Sequence, residues 1–109
     1  PDEKLPALYA NARAFVFPGV DDFGLAPAEA MSCGAPVIAI KKGGAKEIVE
    51  EGRTGEFFEA AIPEVIADGV RRFIENENNY DKEYIRQSAE RFSKERFKRE
   101  FKEFIEKII

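Results

Sequence analysis

The sequence contains no histidine and no tryptophan, and a single cysteine, Cys33, among its 109 residues. Without histidine there is no Ser-His-Asp or Cys-His catalytic arrangement, and no imidazole general base or metal ligand. With one cysteine there is no internal disulfide and no zinc site of the usual N/S type, and a lone thiol points to a reducing compartment. Long apolar runs are missing as well. The Ala35–Ile40 stretch is far short of the roughly 20 residues a membrane span requires. The chain opens on Pro1, with no initiator Met and with charged residues where a signal peptide would carry its apolar run, so it is expected to be a fragment. Excess positive charge is also lacking: 17 basic against 21 acidic side chains leave a net charge of −4, which argues against nucleic-acid binding by bulk electrostatics.

What is present is enough apolar material, 44% of residues, for one domain with a core of its own. Leu5, Leu8, Tyr9 and Ala12 recur at helical spacing, and Ala14–Phe17 reads as a short strand closed by Pro18-Gly19. Leu25–Ser32 reads as a helix with Pro27 in its first turn and Gly34 past its end; Pro36–Ile40 is a second, buried strand. Gly43-Gly44 opens a short helix through Val49, Gly52 and Gly55 frame a turn, and Glu56–Phe58 is a third strand. From Pro63 the pattern becomes helical: Val65, Ile66, Val70, Phe73 and Ile74 are predicted on one face, with a break at 76–79. Asp81 is the predicted N-cap of a further helix, and Ser93 the start of a last one. That last helix carries Phe97, Phe101, Phe104, Ile105 and Ile108 as an apolar docking stripe, with Glu95–Arg99 and Glu103–Lys107 spaced to pair.

Strands alternating with helices imply right-handed crossovers and a parallel sheet covered on both faces. The fold class is therefore α/β. Three strands are few for such a sheet, so the chain reads as the second half of a doubly wound domain: a βα core over 1–60 followed by helices over 61–109, together one partial domain, 1–109. Ligands of open parallel sheets bind beyond the carboxyl ends of the strands, where Asp21-Asp22-Phe23-Gly24-Leu25 lies. Gly24 permits close backbone approach, and the following helix N-terminus suits an anion such as phosphate. An ordinary strand-turn-helix connection would account for the same residues.

Phe17-Pro18, Asp21-x-Phe23-Gly24-Leu25-x-x-x-Glu29-Ala30-Met31-x-x-Gly34-x-Pro36-Val37-Ile38-Ala39, Gly43-Gly44-x-x-Glu47 and Glu51-Gly52-x-x-Gly55 together resemble the retaining GT-B glycosyltransferases, the group 1 branch, from about Leu5 to Phe58. The narrower likeness is to mannosyltransferases. Phe92-Ser93-x-x-x-Phe97 resembles the start of that family's closing helix. The resemblance implies the C-terminal part of a donor-binding domain with a Rossmann-like sheet. It also implies transfer of a sugar from a nucleotide diphosphate to an acceptor hydroxyl, with no further cofactor and no metal. By the same resemblance, Asp21 and Glu29, with seven residues between them, hold the family's acidic pair. Glu29 would bind the donor ribose, and Asp21 would act as the catalytic-site acid near the transferred sugar, one methylene shorter than the usual Glu. The backbone of Phe23, Gly24 and Leu25 would hold the sugar and pyrophosphate, and Gly43 and Gly44 would border the cleft.

The family's pyrophosphate-clamping Arg and Lys have no counterpart before Asp21, where only Lys4 and Arg13 stand. The acceptor site would belong to a separate N-terminal domain of the same enzyme, so the 109 residues alone are expected to be inactive. The implied location is cytoplasmic, with peripheral attachment at the inner membrane face compatible with it. The rival reading is a non-catalytic half-Rossmann module that binds a nucleotide or a partner. Met31, Cys33 and Ala35 read as core packing, and Asp22 and the Lys41, Lys42, Lys46 group as solvated surface.

Overall fold

The computed structural model describes residues 13–20 and 25–108, leaving aside the side chains of Leu25, Phe97, Glu100, Phe104 and Ile108. Three strands, β1 (Phe15–Phe17), β2 (Val37–Ile40) and β3 (Gly55–Phe58), form a parallel sheet in the order β1-β2-β3. The helices are α1 (Leu25–Ser32), α2 (Gly43–Ile48), α3 (Pro63–Glu75) and α4 (Lys82–Ile108), with a 3-10 turn over Glu77–Asn79. The α/β class and the half of a doubly wound sheet are as expected. The predicted helix over Leu5–Ala12 lies outside the described residues.

All four residues of β2 are buried, because the central strand is covered on both faces. Val37 and Ala39 join Ala30, Met31, Ile48, Ile85 and Ala89 in the core under α1, α2 and α4. Ile38 and Ile40 point the other way, into a second cluster with Phe58 and Phe73 under α3. Successive strand residues face opposite sides, so an uninterrupted apolar run is what a doubly covered strand needs.

The local signals at element ends act as anticipated. Gly34 follows α1 with φ +85°, and a Cβ there would come within 3.2 Å of Lys82 Cβ. That close approach lets α1 end against the start of α4. Pro63 opens α3 at a position where its missing N–H costs nothing. Asp81 Oδ1 accepts the Glu83 N–H at 3.0 Å, the side-chain cap expected for α4.

Three readings need correction. α4 is one helix from Lys82 to Ile108, with no start at Ser93. Neither Gly nor Pro occurs between those ends, so nothing breaks the run, and Ser93 sits exposed on its surface. Its described ion pairs join Glu83 to Arg86, Glu90 to Lys94 and Lys102 to Glu106, rather than Glu95 to Arg99 and Glu103 to Lys107. Ile74 is 53% exposed, since one position beyond Phe73 rotates it about 100° off the buried face. On α4, Ile85, Ala89 and half-buried Phe92 pack on the core, whereas Phe101 is 56% exposed. Among the described residues beyond Phe92, none is buried.

The ends of the strands are tied down by polar contacts. The Arg13 guanidinium forks onto the Glu77 carboxylate, with Nε 2.7 Å from Oε2, linking the approach to β1 with the turn before α4. The Arg13 hydrogen bond holds the Glu77 carboxyl below the usual carboxylate range. Before β3, Gly52 turns with φ +84°, and buried Thr54 accepts the Glu50 N–H at 2.8 Å. Among the described residues no helix is long and apolar enough to cross a membrane.

Candidate functional site

The candidate site lies at the carboxyl ends of β1 and β2, where α1 and α2 begin. On α1, Pro27, Ala30 and Met31 face inward and are buried. Glu29 lies about 100° round the helix from Ala30 and farther still from Pro27 and Met31, off the buried face. Glu29 is therefore exposed on the outward face of the helix, in its second turn, while the inward face fastens that helix to α4 and the sheet. Side chains of a helix lean toward its N-terminus, which carries the Glu29 carboxylate toward the end where the β1–α1 connection enters. Its own carbonyl is engaged by Ser32 Oγ at 2.6 Å.

One strand across, Lys41 and Lys42 follow β2, both exposed. Lys41 Nζ stands 5.7 Å from the centre of the Phe57 ring, a cation–π contact that draws it toward β3. Lys42 is extended, with φ −150° and ψ 159° and no side-chain cap onto α2. Gly43 is exposed and takes φ +62°, a left-handed conformation glycine adopts without strain, and Gly44 is buried behind it. Because α2 packs against α1, the Gly43-Gly44 turn and the helix bearing Glu29 stand side by side.

Of the expected site residues, the structure thus brings Glu29, Gly43 and Gly44 to one end of the sheet. Leu25 opens α1 through its backbone. Asp21, Phe23 and Gly24 lie outside the described residues, as does Asp22. Met31 and Ala35 are core residues as expected, with Cys33 partly exposed beside them. Lys46 is exposed, in keeping with a solvated surface. Among the described residues no group of His, Cys, Asp and Glu is disposed to hold a metal ion. A groove of about 360 Å³ lies elsewhere, between α2 and α4 and beside the loop entering β3. There the Tyr84 hydroxyl donates to Glu50 at 2.6 Å, and Arg53 lies 3.9 Å from the Tyr84 ring centre.

A cluster with no local sequence signature occupies the α3 face: buried Glu56, with Arg72 from α3 and Tyr80 from the following turn. The partners are brought together from 16 and 24 residues away, a separation no periodicity or cap pattern reveals.

Comparison with known proteins identifies the family. Residues 1–96 match the family described as Glycosyl transferases group 1. The O-antigen chain mannosyltransferase B of Escherichia coli is 52% identical over 50 residues, 45% of this chain and 13% of that protein. A D-inositol 3-phosphate glycosyltransferase of Corynebacterium urealyticum is 31% identical over 96 residues, 85% of this chain and 23% of that protein. The GDP-mannose-dependent alpha-(1-6)-phosphatidylinositol monomannoside mannosyltransferase of Mycolicibacterium smegmatis is 36% identical over 78 residues, 64% of this chain and 20% of that protein. The chain spans less than a quarter of the length of each of these relatives. With the family match running over most of its length and a parallel α/β sheet to carry it, the chain belongs to the group 1 glycosyl transferase family.

Proposed function

We propose that the chain is the donor-binding portion of a retaining, nucleotide-sugar-dependent glycosyltransferase, of mannosyltransferase type. The observation that carries this reading is the exposed Glu29 on α1, a helix whose N-terminus opens at the carboxyl end of a parallel sheet in a member of this family. An ionised carboxylate accepts hydrogen bonds and has none to donate, which suits the two hydroxyls of a ribose. The backbone around Phe23, Gly24 and Leu25 would receive the pyrophosphate, where the helix dipole offers fixed positive charge to a departing phosphate at little reorganisation cost. Asp21 would stand near the transferred sugar, with Gly43 and Gly44 bordering the cleft. The acceptor and the remaining basic clamp would come from other parts of the intact enzyme, including an N-terminal domain. A cytoplasmic location, free or peripheral at the inner membrane face, accompanies this reading.

Calorimetric titration of the intact enzyme with GDP, UDP and ADP tests it. Saturable binding of one of them, weakened by Glu29→Gln, is expected. Absence of binding to all three would overturn the donor-site assignment, and binding without any sugar transfer would favour a non-catalytic nucleotide module.

A further inference from the structure

We propose that Arg72 and Tyr80 seal the outer edge of β3 against strand addition, held in place by the buried Glu56 carboxylate. This does not depend on the glycosyltransferase reading. In the β2–β3 ladder, Val37 N–H and Lys41 N–H bond the carbonyls of Thr54 and Phe58. Backbone groups alternate in direction along a strand, so Gly55 and Phe57, of opposite parity, present their carbonyls outward.

Both of these outward acceptors are taken. The Phe57 carbonyl accepts Arg72 Nη2 at 2.5 Å. The Gly55 carbonyl accepts the Gly52 N–H at 2.9 Å, and the Tyr80 hydroxyl, whose single proton goes to Glu56, stands 3.2 Å from it and blocks further approach. A strand approaching this edge would have to displace the Gly52 and Arg72 donors, push the Tyr80 ring aside and desolvate a guanidinium.

The two capping side chains are not loosely draped over the edge. Glu56 Oε2 accepts the Tyr80 hydroxyl at 2.6 Å, and Glu56 Oε1 lies 3.6 Å from Arg72 Nε. The Tyr80 ring packs on Phe73 with centres 5.1 Å apart. An acidic residue in the core at this position thereby acquires a purpose: its side chain is almost wholly buried, and it fixes both caps.

The test replaces buried Glu56 and its half-exposed partner by apolar residues of similar size, Arg72→Met with Glu56→Leu, so that no buried carboxylate is left unpaired. With the fold verified by circular dichroism, the variant should self-associate as concentration rises, read by light scattering against the unaltered chain. Hydrogen exchange should show the Phe57 amide gaining protection over the same range. A folded variant whose mass matches the unaltered chain would overturn the seal, and so would association that leaves the Phe57 amide unprotected. Arg72→Gln with Tyr80→Phe, which keeps the ring on Phe73, is a second variant read in the same way should the first fail to fold.

Discussion

The Tyr80 hydroxyl donates to Glu56 Oε2 across 2.6 Å, and this contact makes a neutral tyrosine part of the folded state. Burial first, and the neighbouring Glu56 carboxylate second, push the Tyr80 pKa well above its ordinary value. A raised pKa stabilises the fold fully while the unfolded tyrosine is still protonated, below about pH 10, and that contribution is lost as pH climbs further. Alkaline unfolding of the chain should therefore be steeper above about pH 10 than that of Tyr80→Phe. At neutral pH the same variant, deprived of a hydrogen bond to a charged group, should lose about 2 kcal/mol of unfolding free energy in urea titration.

A second prediction concerns Gly55. A Cβ built there would stand 1.9 Å from the Val37 carbonyl oxygen, so Gly55→Ala forces β3 away from β2. The cost should be about 3 kcal/mol or more, at the upper end of what overpacking produces. Gly19→Ala, with nothing within 4 Å of the added atom, is the matched control and should change stability by less than about 0.5 kcal/mol. Equal melting temperatures for the two variants would contradict this account of the β2–β3 approach.

The two halves of α4 should respond differently to truncation. Ile85 is fully buried against α1 and the sheet, and Ile85→Ala should cost about 2–5 kcal/mol. Phe101 is 56% exposed, so Phe101→Ala should remove only a fraction of the 1.5–3 kcal/mol that full burial of such a side chain supplies. Thermal unfolding of both variants measures the contrast, and a larger effect at Phe101 would mean that the distal half of α4 is docked.

Glu29→Gln keeps the shape of the side chain and removes its charge. If Glu29 binds the donor ribose, affinity for the nucleotide sugar in the intact enzyme should fall about tenfold to a hundredfold, the equivalent of a lost hydrogen bond to a charged group. An unchanged dissociation constant would leave Glu29 as a surface residue of α1 with no part in binding.

The isolated 109-residue chain should show no sugar transfer, since it spans only 13–23% of the relatives that carry the activity in their names. Assay of the chain beside the intact enzyme with the same nucleotide sugar checks this, and comparable turnover by the two would refute it.

Local chemistry determined much of this molecule before any tertiary contact formed. The run Val37–Ile40 could only be a strand covered on both faces, because side chains alternating across a sheet leave no polar position for solvent. Pro27, Gly34, Pro63 and Asp81 bound their helices through constraints on single residues, which is why those limits were legible. Glu29 could be placed on α1 for the same reason: helical spacing alone separates it from Ala30 and Met31. Tertiary structure decided what spacing cannot express. Glu56 alternates like any strand residue, and only the arrival of Arg72 and Tyr80 from distant positions turns a charged side chain into a buried one. Ser93 carries the chemistry of a helix start, yet the packing of Ile85, Ala89 and Phe92 upstream supplies a turn already formed, so the helix propagates through it instead of nucleating again.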